Sequence, residues 1–591
     1  MAAEVPRPEH PDPQRMRADW VNLNGTWQFE IDAGRNGLES GWAERDGLAD
    51  RITVPFCPES RLSGVGHVDF MPAVWYRRSF DVPAAWQGRR IRLHFGAVDF
   101  DATVWVNGQR VGGHTGGYAP FCFDVTSVAN VGGTNTVVVY AEDDTRTGRQ
   151  PSGKQSPRHG SFGCLYTRVT GIWQTVWLEA VGTTFIRHHT IQGDPFSGRV
   201  DVCVETDGPT HGLRLQAAIQ TPGGPVIDEM PLTGPVTHCS LTVPDPVAWA
   251  PGNPHLYDVA LSIVDGAGQT VDTVAGYVGL RRFEVCGHRL LLNGRPVFLR
   301  TVLDQGYYPD GLYTAPTDEA LRNDVQLSLD VGFNGARLHQ KAFEPRFLYW
   351  ADALGYLVTG EYGDWGTDFG KAAAHEAVMG EWPEIVRRGV NHPSLILWTP
   401  FNETSGRVRP FKAEHDALLR NVYQLTRGLD PTRPVIDTSG YCHVVTDVYD
   451  VHNYDQDVAA FAKRFGEFDG TARTAFRNAP NEDCDYRDGQ PYFVSEYGGI
   501  WWDPGARGGE QGWGYGDRPA SEAEYLERYR GLTDVLLGNP NICAFCYTQL
   551  YDIEQEVNGI YTYDRRAKLE PATMAEIRRV NQQPAAIESE S

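Results

Sequence analysis

From Trp20 to about Gly182 apolar residues recur at every second position between clusters of turn residues, a spacing that predicts β-strands with one buried face. Ile91, Leu93 and Phe95 make one such run, and Val137 with Val139 makes another. Thr103 and Trp105 lead into Asn107-Gly108, the two-residue signature of a tight hairpin. Residues 1–182 therefore read as an antiparallel β-sandwich, with Trp and Tyr in its loops. Period two continues through residues 183–283 in Val200, Val202 and Val204, then Leu213, Leu215 and Ala217, then Val259, Leu261 and Ile263. Turns fall at Pro222-Gly223-Gly224 and Asp265-Gly266-Ala267-Gly268. Roughly seven short strands in about a hundred residues suit an immunoglobulin-like sandwich. It carries no cluster of chemical residues and reads as a spacer.

After Asn293-Gly294-Arg295-Pro296 the period changes. Short apolar runs now alternate with helical spacing: Val297 to Arg300; a helix capped by Thr317 with Leu321, Val325 and Leu329 on one face; Asn334 to Leu338; a helix around Phe347 to Leu354; Leu357 to Glu361. The pattern goes on through Leu395 to Trp398, Val435-Ile436-Asp437, Val448 to His452, Tyr492 to Ser495 and Ala544 to Thr548. Eight such units in about 300 residues predict a TIM (β/α)8 barrel over residues 284–591.

Composition adds exclusions. The 53 basic and 76 acidic residues give a formal charge of −23, which disfavours nucleic acid as a partner. Met1 to Trp20 is proline-rich and charged, without a signal-like apolar core, and no apolar run of about 18 residues occurs, so the expectation is a soluble, cytoplasmic chain with no membrane partner. Ten scattered cysteines read as reduced thiols; Cys543-x-x-Cys546 lies inside an apolar strand. Association into a homo-oligomer is left open.

Two strands end in carboxylates. The run ending at Trp398 stops at Asn402-Glu403, and Phe493-Val494-Ser495 stops at Glu496-Tyr497-Gly498-Gly499. Carboxyl ends of barrel strands form the active face, and two carboxylates facing each other there are what glycoside hydrolysis needs. The competing explanation is a pair of structural carboxylates tied to nearby arginines. Arg337, His339, Glu361, Asp364, His452, Asn453 and Tyr454 also fall at strand ends, and Trp365, Trp501, Trp502 and Trp513 fall in loops after them, where rings can stack on sugars.

Asn391-His392-Pro393-Ser394, followed by Trp398 and Asn402-Glu403, resembles the acid/base signature of glycoside hydrolase family 2, which includes β-galactosidases, β-glucuronidases and β-mannosidases. Ser495-Glu496-Tyr497-Gly498 resembles its nucleophile segment, and Thr170-Gly171-Ile172-Trp173-Gln174-Thr175-Val176-Trp177-Leu178 is similar to the segment closing its first sandwich. The resemblance implies Glu403 as acid/base and Glu496 as nucleophile of a retaining exo-glycosidase. It implies that Asn402 meets the sugar 2-hydroxyl, Arg337 orients the nucleophile, His339 touches sugar hydroxyls and Tyr454 donates to the nucleophile. A carboxyl with the acid role is expected to have a raised pKa.

Three departures bear on the sugar. Leu165, followed by Tyr166, stands where the family's β-galactosidases place an aspartate. Gly360-Glu361-Tyr362-Gly363-Asp364-Trp365 lacks the histidine of their magnesium cluster, so no metal and no cofactor is expected and Glu361 and Asp364 read as sugar or supporting ligands. The Asn-x-Lys clamp of the glucuronidases is absent from Glu554 to Lys568, and Phe545-Cys546-Tyr547-Thr548 lacks the expected tryptophan. With Leu165 and Tyr166 beside a small carbohydrate substrate, the expectation is a galactosyl residue, β-D-galactofuranoside or β-D-galactopyranoside, or the similar α-L-arabinofuranoside; β-glucuronidase or β-mannosidase is the alternative. The other classes weighed are a non-catalytic carbohydrate-binding protein and a metal-dependent hydrolase using His339, His375 or His452, none of which forms an HExxH pair.

Overall fold

The computed structural model describes residues 5–404, 409–480, 484–504 and 512–589. Two sheets make the first sandwich. One has four strands, Trp20–Asn22, Val176–Val181, Arg90–Phe95 and Phe121–Asp124 in spatial order, and the other has six, of which Ala73–Asp81 and Thr134–Glu142 pair along nine residues. Ile91, Leu93 and Phe95 turn inward as their spacing requires and meet Val104, Val137, Val139 and Leu178 in one core. The hairpin between Asp101–Val106 and Gln109–Thr115 turns on Asn107 and Gly108, both at positive φ, as a two-residue turn of this hand demands. The second domain is a seven-stranded sandwich, three strands (Phe185–Gly193, Arg199–Asp207, Val236–Thr242) facing four, around Val202, Leu215, Leu261 and their neighbours.

The third domain is the barrel. Its strands in chain order are Leu299–Asp304, Gly335–Leu338, Leu357–Glu361, Leu395–Thr399, Thr438–Ser439, Tyr449–Asn453, Tyr492–Tyr497 and Ile542–Tyr547. Seven of them form one parallel sheet in the order fourth, third, second, first, eighth, seventh, sixth. The fifth begins where expected, Val435 bridging Trp398 of the fourth strand in parallel and Ile436 N–H donating to Trp398 O at 2.9 Å. At Asp437, whose carboxylate accepts from the backbone N–H groups of Val444 and Val445 and bonds His443, the ladder is interrupted, and it resumes where Thr438 and Ser439 pair with Phe401 and Asn402. Side chains join fifth to sixth strand, with Ser439 Oγ donating to Asp450 at 2.6 Å. Among the helices, Asp318–Asp330 begins where expected, its first turn capped by the Thr317 hydroxyl accepting from Ala320 N–H.

The first sandwich lies on the active face of the barrel. Its Tyr118, Tyr166 and Trp173 are fully buried in the barrel's own core, Trp173 against Tyr313 at 5.2 Å and Tyr166 against Tyr307 at 5.1 Å. The loop between its last strands is stitched to the barrel by backbone: Ser152 N–H donates to Trp365 O at 2.7 Å and Gly153 N–H to Gly363 O at 2.8 Å. Side chains of a sandwich loop therefore reach the ends of the barrel strands.

Candidate active site

Leu395–Thr399 is buried on both faces, as a strand inside a covered parallel barrel must be. Pro400 has no N–H, so the ladder to the third strand ends there, and the chain crosses to pair Phe401 and Asn402 with Thr438 and Ser439. Glu403 then donates its N–H to Ser439 O at 2.9 Å and turns at φ 51°. That left-handed conformation costs a non-glycine residue on the order of 1 kcal/mol, and it swings the Glu403 carboxylate against His452, Oε1 to Nδ1 at 2.7 Å.

Glu496 arrives from the seventh strand. Its Oε1 accepts from Arg337 Nη1 at 3.0 Å and its Oε2 from the Tyr454 hydroxyl. Gly498 follows at φ 74°, and a Cβ there would strike the Tyr547 ring at 2.4 Å, so only glycine allows this strand end. Carboxylate oxygens of Glu403 and Glu496 and a ring nitrogen of His452 lie within 4.8 Å of one another. At that separation one carboxylate can attack an anomeric carbon while the other reaches the leaving oxygen, whereas admitting a water between them would require about 6.5–9.5 Å.

Arg337, 1 % exposed, organises the floor. It donates to Glu361 at 2.6 Å, to the Ser495 carbonyl at 2.8 Å, to Glu496 and, through Nη2, to Asn402 Oδ1 at 3.1 Å. Burial opposes its charge, but Glu361 and Glu496 outweigh burial and hold the guanidinium firmly protonated. His339 is held neutral, by burial first and then by Lys154. Its Nδ1 sits 2.9 Å from Glu361 Oε2, so the proton belongs there and Nε2 keeps its lone pair. Asn402 Oδ1 and N–H are both bonded, the latter to Asp364 at 3.0 Å, yet its buried Nδ2 has no partner among the described residues.

The two glutamates are not alike electrically. Burial alone would raise the Glu403 pKa; the hydrogen bond and charge of His452, with Lys154 and Arg337 behind, reverse it and hold the carboxyl below its ordinary range. That is opposite to the expectation for an acid acting alone. His452 shows the complement: burial pushes it down, but Glu496 and Glu403 override burial and raise it. Among the described residues Glu403, His452 and Glu496 are the only metal-ligand types that converge; His339 and His375 do not join them. The pair Glu403–His452 is bonded through a shared proton, which a cation would have to displace.

Other anticipated residues divide. Trp365 and Leu165 line a cavity of ≈ 470 Å³ with Asp364, Asn402 and Glu403, and Trp365 Nε1 donates to the Asn402 carbonyl at 3.1 Å. Glu361 lies behind this wall, fully engaged by Arg337 and His339. Three expected sugar contacts point elsewhere. Asn453 bonds Arg464 at 3.2 Å, because alternation along the strand turns it outward when His452 turns in. Tyr166 is 0 % exposed, its hydroxyl donating to Glu556 and accepting from Gln305. Trp502 is buried against Tyr525 at 5.9 Å, while Trp501 is half-buried and packs on Gly514. Conversely, sequence reasoning missed Lys154, Glu556 and Tyr515. Lys154 Nζ lies 3.6 Å over the Trp365 ring, and Tyr515 stacks on Tyr454 with centroids 3.4 Å apart. All three come from loops, where no periodicity marks them.

Two facing carboxylates at the ends of the fourth and seventh strands of a barrel, with arginine, tyrosine and asparagine around them, define an O-glycosyl hydrolase. The chain belongs to glycoside hydrolase family 2: models of its sugar binding domain, its central domain and its TIM barrel domain match residues 20–145, 184–281 and 283–507. A β-glucuronidase of Paenibacillus borealis is 27% identical over 451 residues, 70% of this chain and 72% of that one. A β-galactosidase of Thermoanaerobacter pseudethanolicus is 26% identical over 379 residues, 62% of this chain and 48% of that one. The solved Lactobacillus rhamnosus β-glucuronidase superposes with a TM-score of 0.79 at 21% identity, over 98% of this chain and 100% of that one.

Proposed function

We propose that this chain is a retaining exo-glycosidase, with Glu496 as nucleophile and Glu403 as acid/base, and that its preferred terminal sugar is a β-linked hexuronide. The observation that carries the mechanism is the approach of the two carboxylates to within 4.8 Å. Arg337 and Tyr454 hold Glu496 aimed, Asn402 Nδ2 and His339 Nε2 stand ready for sugar hydroxyls, and Trp365 offers a ring face.

Support for the uronide comes from two sides. Matched relatives are mostly named β-glucuronidases. Lys154, 6 % exposed, has no hydrogen bond or ion pair among the described residues; burial works to lower its pKa, but the neighbouring Cys164, Glu403, Glu496 and Glu556 outweigh burial and raise it. A buried ammonium that meets the Trp365 ring face but no hydrogen-bond acceptor is costly, and a substrate carboxylate would supply the acceptor. Lys568, by contrast, is occupied by Asp552 at 2.7 Å. A galactosyl substrate is the second reading, favoured by the apolar Leu165 wall and the β-galactosidase relative.

The test is a panel of p-nitrophenyl β-D-glucuronide, β-D-galactopyranoside, β-D-galactofuranoside and α-L-arabinofuranoside, compared by kcat/KM for the wild type and Lys154→Met. The glucuronide should lead, and Lys154→Met should lower it by about 30-fold, roughly 2 kcal/mol for a charged hydrogen bond, leaving neutral sugars within about threefold. A galactoside ahead of the glucuronide by about tenfold would install the galactosyl reading instead.

A further inference from the structure

Among the described residues, His452 is the one side chain that pairs with both glutamates. Its Nδ1 lies 2.7 Å from Glu403 Oε1 and 3.4 Å from Glu496 Oε2. Its Nε2 lies 3.0 Å from Ser439 Oγ, whose hydrogen is given to Asp450 Oδ2. Behind them, His443 bridges Asp437 at 2.8 Å and the Asp450 carbonyl at 2.9 Å. The imidazole therefore has a fixed ring plane and an oxygen partner on each side. Arg337, His339, Glu361 and the edge of the Tyr441 ring complete its surroundings.

We infer that His452 is a positioning residue that shares the catalytic proton with Glu403, so that the general acid is the hydrogen-bonded Glu403–His452 pair and not the carboxyl alone. This rests on the glycosidase reading above. In the resting site the pair holds one proton, which lies toward His452 while Glu496 is charged. As Glu496 attacks the anomeric carbon and the bond to the leaving oxygen breaks, the proton passes from Nδ1 to Glu403 and on to that oxygen. The charge of Glu496 disappears into the ester at the same moment, removing one of the two carboxylates whose attraction held the proton on His452. Water then attacks the glycosyl-enzyme and gives its proton to Glu403 and back to His452, and Glu496 regains its charge. Net charge at the site is conserved in each half, so no further acid is needed.

Leaving-group dependence separates this role from a packing one, because a 2,4-dinitrophenolate leaves without protonation and an unactivated phenolate does not. With the best aryl glycoside of the panel, His452→Asn should lower kcat/KM by about 10²-fold for the phenyl leaving group and by less than about fivefold for dinitrophenyl. Its alkaline pH limb should move to lower pH, and azide should raise its dinitrophenyl turnover. Ser439→Ala, which keeps the imidazole and removes its far partner, should shift the same limb in the same direction by a smaller amount and covers the case of a His452 variant that does not fold. Equal losses for both leaving groups with an unmoved alkaline limb, in either variant, would overturn the inference. Wild-type enzyme that hydrolyses no glycoside would instead overturn the glycosidase reading.

Discussion

Asn402 offers the sharpest single-atom test. The residue is 2 % exposed; its Oδ1 is held by Arg337 and its N–H by Asp364, so the side chain cannot rotate to satisfy Nδ2 from within the protein. An unpaired buried amide donor costs about 1–3 kcal/mol. A sugar 2-hydroxyl would repay this, increasingly as the transition state forms. Asn402→Ala should therefore lower kcat/KM for an ordinary aryl glycoside by about 2–3 kcal/mol, roughly 30- to 150-fold. The assay is a double-mutant cycle: wild type and Asn402→Ala, each with the glycoside and its 2-deoxy analogue, under conditions where the unfolding midpoints of both proteins are known. The intrinsic reactivity of the deoxy sugar cancels around the cycle. On the 2-deoxy substrate Asn402→Ala should cost less than about 0.5 kcal/mol, which is the limit of additivity for sites that do not interact. Equal losses on both substrates would refute the assignment and place the Asn402 effect in Arg337, which loses a partner in the same variant.

Tyr454→Phe removes the hydroxyl donor to Glu496 while the stack on Tyr515 remains, and kcat should fall by about 10²-fold with the unfolding midpoint within a degree or so of wild type. Arg17 ties the two sandwiches, donating to Glu179 at 2.6 Å and to both oxygens of Asp272 at 3.1 Å. Arg17→Met leaves those carboxylates buried without their cation and should destabilise the chain by about 3–5 kcal/mol, read as a lowered unfolding midpoint. Burial works to raise the Glu179 pKa, but His94 and Arg17 depress it, so its stabilisation is present above the ordinary carboxylate value of about 4.3 and is lost as the pH falls through the depressed value. Arg17→Met should therefore flatten the acid limb of the stability profile. Gly153 sits at φ 57° with the Gln340 carbonyl 2.5 Å from where a Cβ would be, so Gly153→Ala should displace Lys154 and reduce the preference for a glucuronide.

The parts of the fold that were legible in the sequence are those whose burial imposes a period. Ile91, Leu93 and Phe95 each face the sandwich core, and the unbroken apolar run to Trp398 is a strand covered on both faces, so both its type and its polar ending could be read. The fifth strand was legible in Val435 and Ile436, which pair with Trp398, but its interruption was not, because it comes from the Asp437 side chain competing for backbone N–H groups of Val444 and Val445. The same alternation that identifies strands separates His452, which turns in, from Asn453, which turns out to Arg464. Lys154 and Tyr515 were invisible for a different reason: their positions depend on loops fixed by backbone contacts between domains, such as Gly153 with Gly363, which leave no local pattern. The electrical asymmetry of the two glutamates was likewise beyond the sequence, since it depends on a histidine 49 residues from Glu403 that approaches it only in the fold.

The central claim is that Glu496 forms a covalent glycosyl-enzyme which Glu403 helps to make and break. It is tested most directly by Glu403→Ala acting on a dinitrophenyl glycoside in the presence of azide, with the anomeric configuration of the glycosyl azide read by proton NMR. Without the general base the intermediate persists, azide attacks it on the face that Glu496 does not occupy, and the account predicts faster turnover to a β-glycosyl azide from a β-glycoside. An α-glycosyl azide, formed by direct displacement with no intermediate on Glu496, would contradict it.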